Sequence, residues 1–197
     1  MIASPLGWAG FGQWMFLLAA FAAMLLAVWL WDRRRRGKAA SRMEMTALAL
    51  AALWSMMEAG AGPVTFVAQF AEVLRNLGWL AVVYALFARD NRHATVAPVR
   101  PVLVVLALVE LLQVVLLLLN LRVGGIPAAA AMIFQISVMF RLLLATGALV
   151  LVHNLYAGAM TVQRGVVRWT CLALALMWGY DLNFYTIAYL GGGVPQE

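Results

Sequence analysis

Charge is scarce in this chain. Of its 197 residues only 11% are Asp, Glu, Lys or Arg, against roughly 25% in an ordinary soluble domain, while 65% are hydrophobic. At roughly 20 apolar residues per membrane span, the length accommodates about six spans with short loops and leaves no room for a soluble catalytic domain. Cysteine is nearly absent: Cys171 stands alone within an apolar run, which excludes an intrachain disulfide or a thiolate metal cluster and leaves a packing role. The two histidines, His93 and His153, fall in or beside loops without acidic or thiol partners at ligand spacing, so no metal site is expected. The six prolines (Pro5, Pro63, Pro98, Pro101, Pro127, Pro195) lie at or beyond the ends of the apolar runs, so no broken helix is signalled. There is no P-loop, Gly-x-Ser-x-Gly, His-Glu-x-x-His or dinucleotide fingerprint, so no catalytic residue, cofactor or enzymatic activity is expected of the chain.

What is present is long hydrophobic runs. Runs bounded by charge, Pro or Gly predict helices near 11–31, 44–60, 64–88, 101–121, 129–152 and 166–190. The fold class is therefore all-α: a polytopic transmembrane bundle of about six spans, read as one domain over 1–190 with a Gly-rich tail at 191–197. The first run is a retained helix and not a signal peptide, because it lacks a basic leader, is too long, and runs into Asp32 and Arg33 to Arg36 rather than a cleavage site. Gly60-Ala61-Gly62-Pro63 is a sharp stop that turns into the third helix.

The net charge of +6 sits mostly in short loops, which makes the bilayer the expected partner and not nucleic acid. Arg33, Arg34, Arg35, Arg36, Lys38, Arg42, Arg89, Arg92, Arg100, Arg164 and Arg168 fall on one side, and Arg122 alone on the other. The positive-inside rule makes the first side cytoplasmic and sets both the N-terminus and, after six crossings, the tail outside. Trp8 and Trp14, and Trp29 and Trp31, fit interfacial belts at the two ends of the first helix. An external tail has no cytoplasmic output of its own, so the chain is expected either to act within the membrane or to be the front of something longer.

Inside these runs stand Glu58, Glu72, Arg75, Glu110, Arg141 and Asp181. An ionised side chain at the centre of a spanning helix costs about 3 kcal/mol on insertion scales, so such groups face one another or a polar cavity. Glu110 lies roughly 15 Å from the inner end of its run and Arg141 roughly 18 Å from the outer end of its own. Glu72 and Arg75 share a face with Gln69, Asn76 and Trp79. Asp181 lies in Gly179-Tyr180-Asp181-Leu182-Asn183-Phe184-Tyr185, with Tyr185 at i+4 and Trp178 at i−3. Two readings stand together: the charges pair across helices, Arg141 with Glu110 or Asp181, and only fix neighbours; or Glu72, Arg75, Glu110, Arg141, Asp181, Tyr180 and Tyr185 form a ligand-binding or signal-coupling polar core. Four carboxylates against two guanidiniums leave surplus acid able to hold a proton. Glu58, about a turn from a helix end, can reach water.

Three stretches together resemble a known family: Glu72-Val-Leu-Arg75-Asn-Leu-Gly-Trp79-Leu, Val152-His-Asn-Leu-Tyr156, and Arg164 through Arg168-Trp169-Thr-Cys171 to Tyr180-Asp181-Leu-Asn-Phe-Tyr185. In this order they are similar to the N-terminal membrane region of the PrsK sensor histidine kinases, associated with PEP-CTERM and exosortase systems and exopolysaccharide loci of Gram-negative bacteria. The chain departs from that pattern at His153-Asn154, where a Glu-Gln pair is usual. The resemblance implies a two-component signal-input domain in the bacterial inner membrane, a homodimer, and downstream kinase domains or a partner kinase. It also implies further spans, a GAF-like region and a kinase core after residue 197. A small secondary transporter, with helices 1–3 and 4–6 as formal inverted repeats, and a membrane scaffold or assembly subunit are the alternatives.

Overall fold

The computed structural model describes residues 5–36, 41–89, 93–158 and 161–192. Lys38, Arg92 and the tail at 193–197 lie outside the described residues. Six helices follow in order: α1 (Pro5–Arg35), α2 (Arg42–Ala61), α3 (Phe66–Arg89), α4 (His93–Val123), α5 (Pro127–Gly158) and α6 (Thr161–Gly191). All six expected helices are present, and all but α3, which starts two residues after its run does, extend beyond their runs at both ends. At 31 and 32 residues, α4 and α5 extend about 47 Å, more than the roughly 30 Å of a bilayer's hydrocarbon core. Polar end residues keep the backbone hydrogen-bonded as a helix after the apolar side chains stop, so a boundary drawn at the first charge falls short.

The prolines differ from expectation: Pro98 and Pro101 lie inside the first third of α4, whereas Pro5 and Pro127 open α1 and α5, where a missing N–H costs no helical bond. Among the described residues, four helical segments are long and apolar enough to cross a membrane: Gly12–Arg35, Phe66–Ala88, Val99–Val123 and Pro127–Gly158. α2 has only 20 residues and carries Glu44, Thr46, Ser55 and Glu58. α6 is long enough but is diluted by Arg164, Arg168, Asp181, Asn183 and its tyrosines.

The chain divides into two compact units, Met1–Val82 and Val83–Pro195, with the boundary inside α3. In the first unit α1 packs antiparallel on α2: the Gln13 amide donates to the Ala59 carbonyl at 3.1 Å, and the Phe16 and Trp54 rings meet edge-on at 5.6 Å. The stop expected at Gly60 to Pro63 is there. Gly62 adopts φ 84°, a left-handed conformation, and its N–H closes onto the Glu58 carbonyl at 3.1 Å. Thr65 then starts α3, its hydroxyl accepting from the Ala68 N–H at 3.4 Å. Gly78 lets α3 approach α2, since a Cβ there would lie 3.4 Å from the Cα of fully buried Ala47.

In the second unit α5 packs against both α4 and α6. A Cβ on Gly147 would lie 2.7 Å from a Leu106 methyl, so this glycine is the notch that admits Leu106 between α4 and α5. Gly124 closes α4: its N–H donates to the Asn120 carbonyl at 2.8 Å, and a Cβ there would lie 2.4 Å from that same oxygen.

Candidate functional site

The polar residues of the first unit form a chain of contacts from α2 to α3. Trp54 Nε1 donates to Glu58 Oε1 at 3.2 Å, one helical turn along α2. The guanidinium carbon of Arg75 lies 4.0 Å from the centroid of the Trp54 ring. Arg75 in turn donates from Nε and Nη2 to Asn76 Oδ1 at 3.4 and 3.1 Å, and its Nη2 stands 3.9 Å from Glu72 Oε1. Arg75, Asn76 and Glu72 are 1%, 1% and 4% exposed, so none relies on water. A cation removed from water at this depth needs both a carboxylate and an electron-rich ring face nearby, and the structure supplies both. Gln69, expected on the same stripe, instead turns back to the Pro63 carbonyl at 3.5 Å. Trp79 has a buried indole N–H with no acceptor among the described residues.

The second unit holds a separate cluster, and helix register explains it. The Gln113 amide donates to the Ser137 carbonyl and accepts from the Ser137 hydroxyl, both at 2.8 Å. Together with the Leu106–Gly147 approach this sets an antiparallel register between α4 and α5. Glu110 lies between Leu106 and Gln113 on one face of α4, and Arg141 lies one turn beyond Ser137 on α5. Glu110 is therefore level with Arg141, on the faces that the two helices share. On the other side, Arg141 lies 5.0 Å from the centroid of the Tyr185 ring of α6. Asp181 is one turn from Tyr185 on the same face and is 6% exposed, beside 5% for Arg141 and 1% for both Glu110 and Gln113.

By chain length Glu110 sits roughly 26 Å from the start of α4 and 20 Å from its end, and Arg141 roughly 21 and 26 Å from the ends of α5. Both are central. Trp178, one turn before Asp181, is fully buried and its indole N–H has no acceptor. Of the residues expected in the polar core, Tyr180 is the one that turns outward: it is 54% exposed and stacks on Phe184 at 6.2 Å. A step of one residue rotates about 100° around a helix, which carries Tyr180 off the face that Asp181 and Tyr185 share.

Arg141 thus stands level with Glu110 of α4 and against Tyr185 of α6, with two carboxyl groups in the same buried unit. Such an arrangement can hold a fixed charge pattern, exchange a proton at a carboxyl, or receive a hydrogen-bonding ligand beside Trp178. Among the described residues no three His, Cys, Asp or Glu side chains gather as a metal site. His153 is exposed and Cys171 is buried.

Sequence reading missed Trp54 and the Gln113–Ser137 pair. Each had a signal: Trp54 precedes Glu58 by four residues, and Gln113 follows Glu110 by three, spacings that put both on the faces already marked by charge. Replacing Gln113 with Leu and Ser137 with Ala, singly and together, should reveal a coupling energy of about 0.6 to 1.7 kcal/mol in unfolding measurements in mixed micelles, the range for interhelical hydrogen bonds in membrane bundles. Additive losses would mean that the Ser137 hydroxyl bond, the one of the two that Ser137→Ala removes, does not help lock the register. Comparison of the chain with protein-family models, curated proteins and solved structures finds no match.

Proposed function

We propose that this chain is the membrane-embedded signal-input part of a PrsK-like histidine kinase, a six-span protein of the bacterial inner membrane with its N-terminus outside. The observation that supports this reading best is the burial of Glu110, Arg141 and Asp181 within the central parts of long helices of one unit. Such charge is costly in a passive anchor and useful in a device with more than one packing state. An envelope-borne or lipid-soluble cue engages this cluster, or its counterpart at Glu72 and Arg75, and favours one packing over another by its differential affinity. α5 is the element through which the change travels. It is tied to α4 by Gln113 and Ser137 and to α6 by Arg141 and Tyr185, so displacing Arg141 loosens α5 from α6 while its tie to α4 holds. Downstream kinase domains or a partner kinase read the result. Residues that bind no substrate covalently suffice for this role, and the chain itself carries no catalytic step.

A secondary transporter is the second reading. Pro98 and Pro101 inside α4 favour it to the extent that helices interrupted by proline build transporter sites, although α4 continues through both. Substrate- or proton-driven uptake by proteoliposomes of the full chain would put it first.

Asp181→Asn is the informative variant, because it removes one carboxylate while keeping shape and leaves Glu110 and Arg141 balanced. Its expected effect is an altered basal level or stimulus response in kinase phosphorylation, with unchanged amounts of protein in the membrane. Arg141→Gln should change output more and also lower stability by about 3 kcal/mol or more, since it leaves buried acids without their cation. Normal phosphorylation in both variants would reduce the cluster to a structural role. For orientation, a periplasm-dependent phosphatase reporter inserted after Val123 should be active and one inserted after Arg36 inactive; the reverse pattern would invert the topology.

A further inference from the structure

The end of α1 carries a feature that the signalling reading does not use. The guanidinium carbon of Arg33 lies 4.7 Å from the centroid of Trp29, and that of Arg35 lies 4.3 Å from the centroid of Trp31. The run's acid is already taken: Arg36 Nη2 is 2.7 Å from Asp32 Oδ2. Among the described residues Arg33 and Arg35 are thus held by ring faces and not by carboxylates. A ring face attracts the cation without occupying its N–H donors, which remain available in a fork that fits phosphate oxygens.

Geometry says what kind of partner this suits. Each pair is spaced i, i+4 and so lies along one side of α1, but the two pairs are offset by two residues, about 200° around the helix. They stand on opposite sides. Along its apolar stretch α1 buries almost none of its residues, so it is open around most of its circumference, and Leu25, Leu26 and Val28, one turn before the tryptophans, are all more than half exposed. A macromolecule docking from one direction would meet one pair. A bilayer surrounds a spanning helix, with acyl chains against the leucines, headgroup carbonyls and glycerol around the indoles, and phosphates at the level of the arginines.

We propose that Arg33 and Arg35, held over Trp29 and Trp31, form a two-sided collar that binds the phosphodiester groups of anionic phospholipids. Orienting the chain requires only positive charge at this end of α1. The collar requires the indoles as well, and this difference makes it testable.

The experiment uses the full chain reconstituted in phosphatidylcholine bilayers and measures, by electron paramagnetic resonance, the association constant of spin-labelled phosphatidylglycerol relative to spin-labelled phosphatidylcholine. Wild type should prefer phosphatidylglycerol, and the preference should fall with salt. Arg33→Gln with Arg35→Gln should lower it roughly tenfold or more at low ionic strength, each basic residue near the surface contributing about a fivefold factor. Trp29→Leu with Trp31→Leu, which keeps every charge, should lose a substantial part of it, while Arg122→Gln should leave it intact. A wild-type preference in the tryptophan variant would overturn the collar, as would an equal loss in Arg122→Gln. Displacement of the lipid by inorganic phosphate, but not by sodium chloride of equal ionic strength, would assign the arginines to a free anion and overturn the lipid assignment.

Discussion

Every arginine or carboxylate placed mid-helix in an apolar segment must find its counterpart inside the protein, and this constraint organises both units. An uncompensated charge in the centre of a spanning helix costs about 3 kcal/mol or more, comparable to a large part of a domain's net stability. The chain meets the constraint the same way twice. A buried arginine on one helix lies against an aromatic ring of a neighbouring helix, Arg75 on Trp54 and Arg141 on Tyr185, with acid on the same or an adjoining helix. Helix register then follows from the need to bring these groups level, with Gly78 and Gly147 leaving room for the Leu50 and Leu106 side chains.

The same constraint limits where function can reside. Glu110, Gln113, Arg141 and Asp181 leave almost no surface to solvent, so a molecule could act on them only by altering helix packing or by entering the unit itself. Ionic clusters of this kind are worth little as net stabilisers but are sensitive to the loss of one member. That asymmetry makes them suitable as the part of a helix bundle that distinguishes two arrangements.

The helices were legible in the sequence because hydrophobic length is a strong signal and depends on no neighbour. Their ends were less so, since Arg33 to Arg35, or His93 to Arg100, continue a helix that hydropathy alone would stop. Which charged residues matter was also visible, because a charge within an apolar run is conspicuous. Their partners were not: a tryptophan such as Trp54 looks like any interfacial or packing aromatic until a second helix brings Arg75 over it. The register that sets Glu110 level with Arg141 likewise depends on a neutral pair, Gln113 and Ser137, which has no distinctive composition. Tyr180 shows the converse, a residue that proximity in sequence assigned to the core and helical rotation turned outward.

The central claim is that these charged positions are interior to the protein, facing neither lipid nor water, and adjacent residues make the sharpest test. Glu110 is 1% exposed and Leu111 is 54% exposed. Nitroxide labels placed singly at positions 110, 111 and 122, in the full chain with Cys171 replaced by Ser and reconstituted in bilayers, can be compared by power saturation with oxygen and with a water-soluble nickel chelate. The label at 110 should be shielded from both, the label at 111 reached by oxygen, and the label at 122 reached by nickel. A label at 110 as open to oxygen as that at 111, or as open to nickel as that at 122, would contradict that claim.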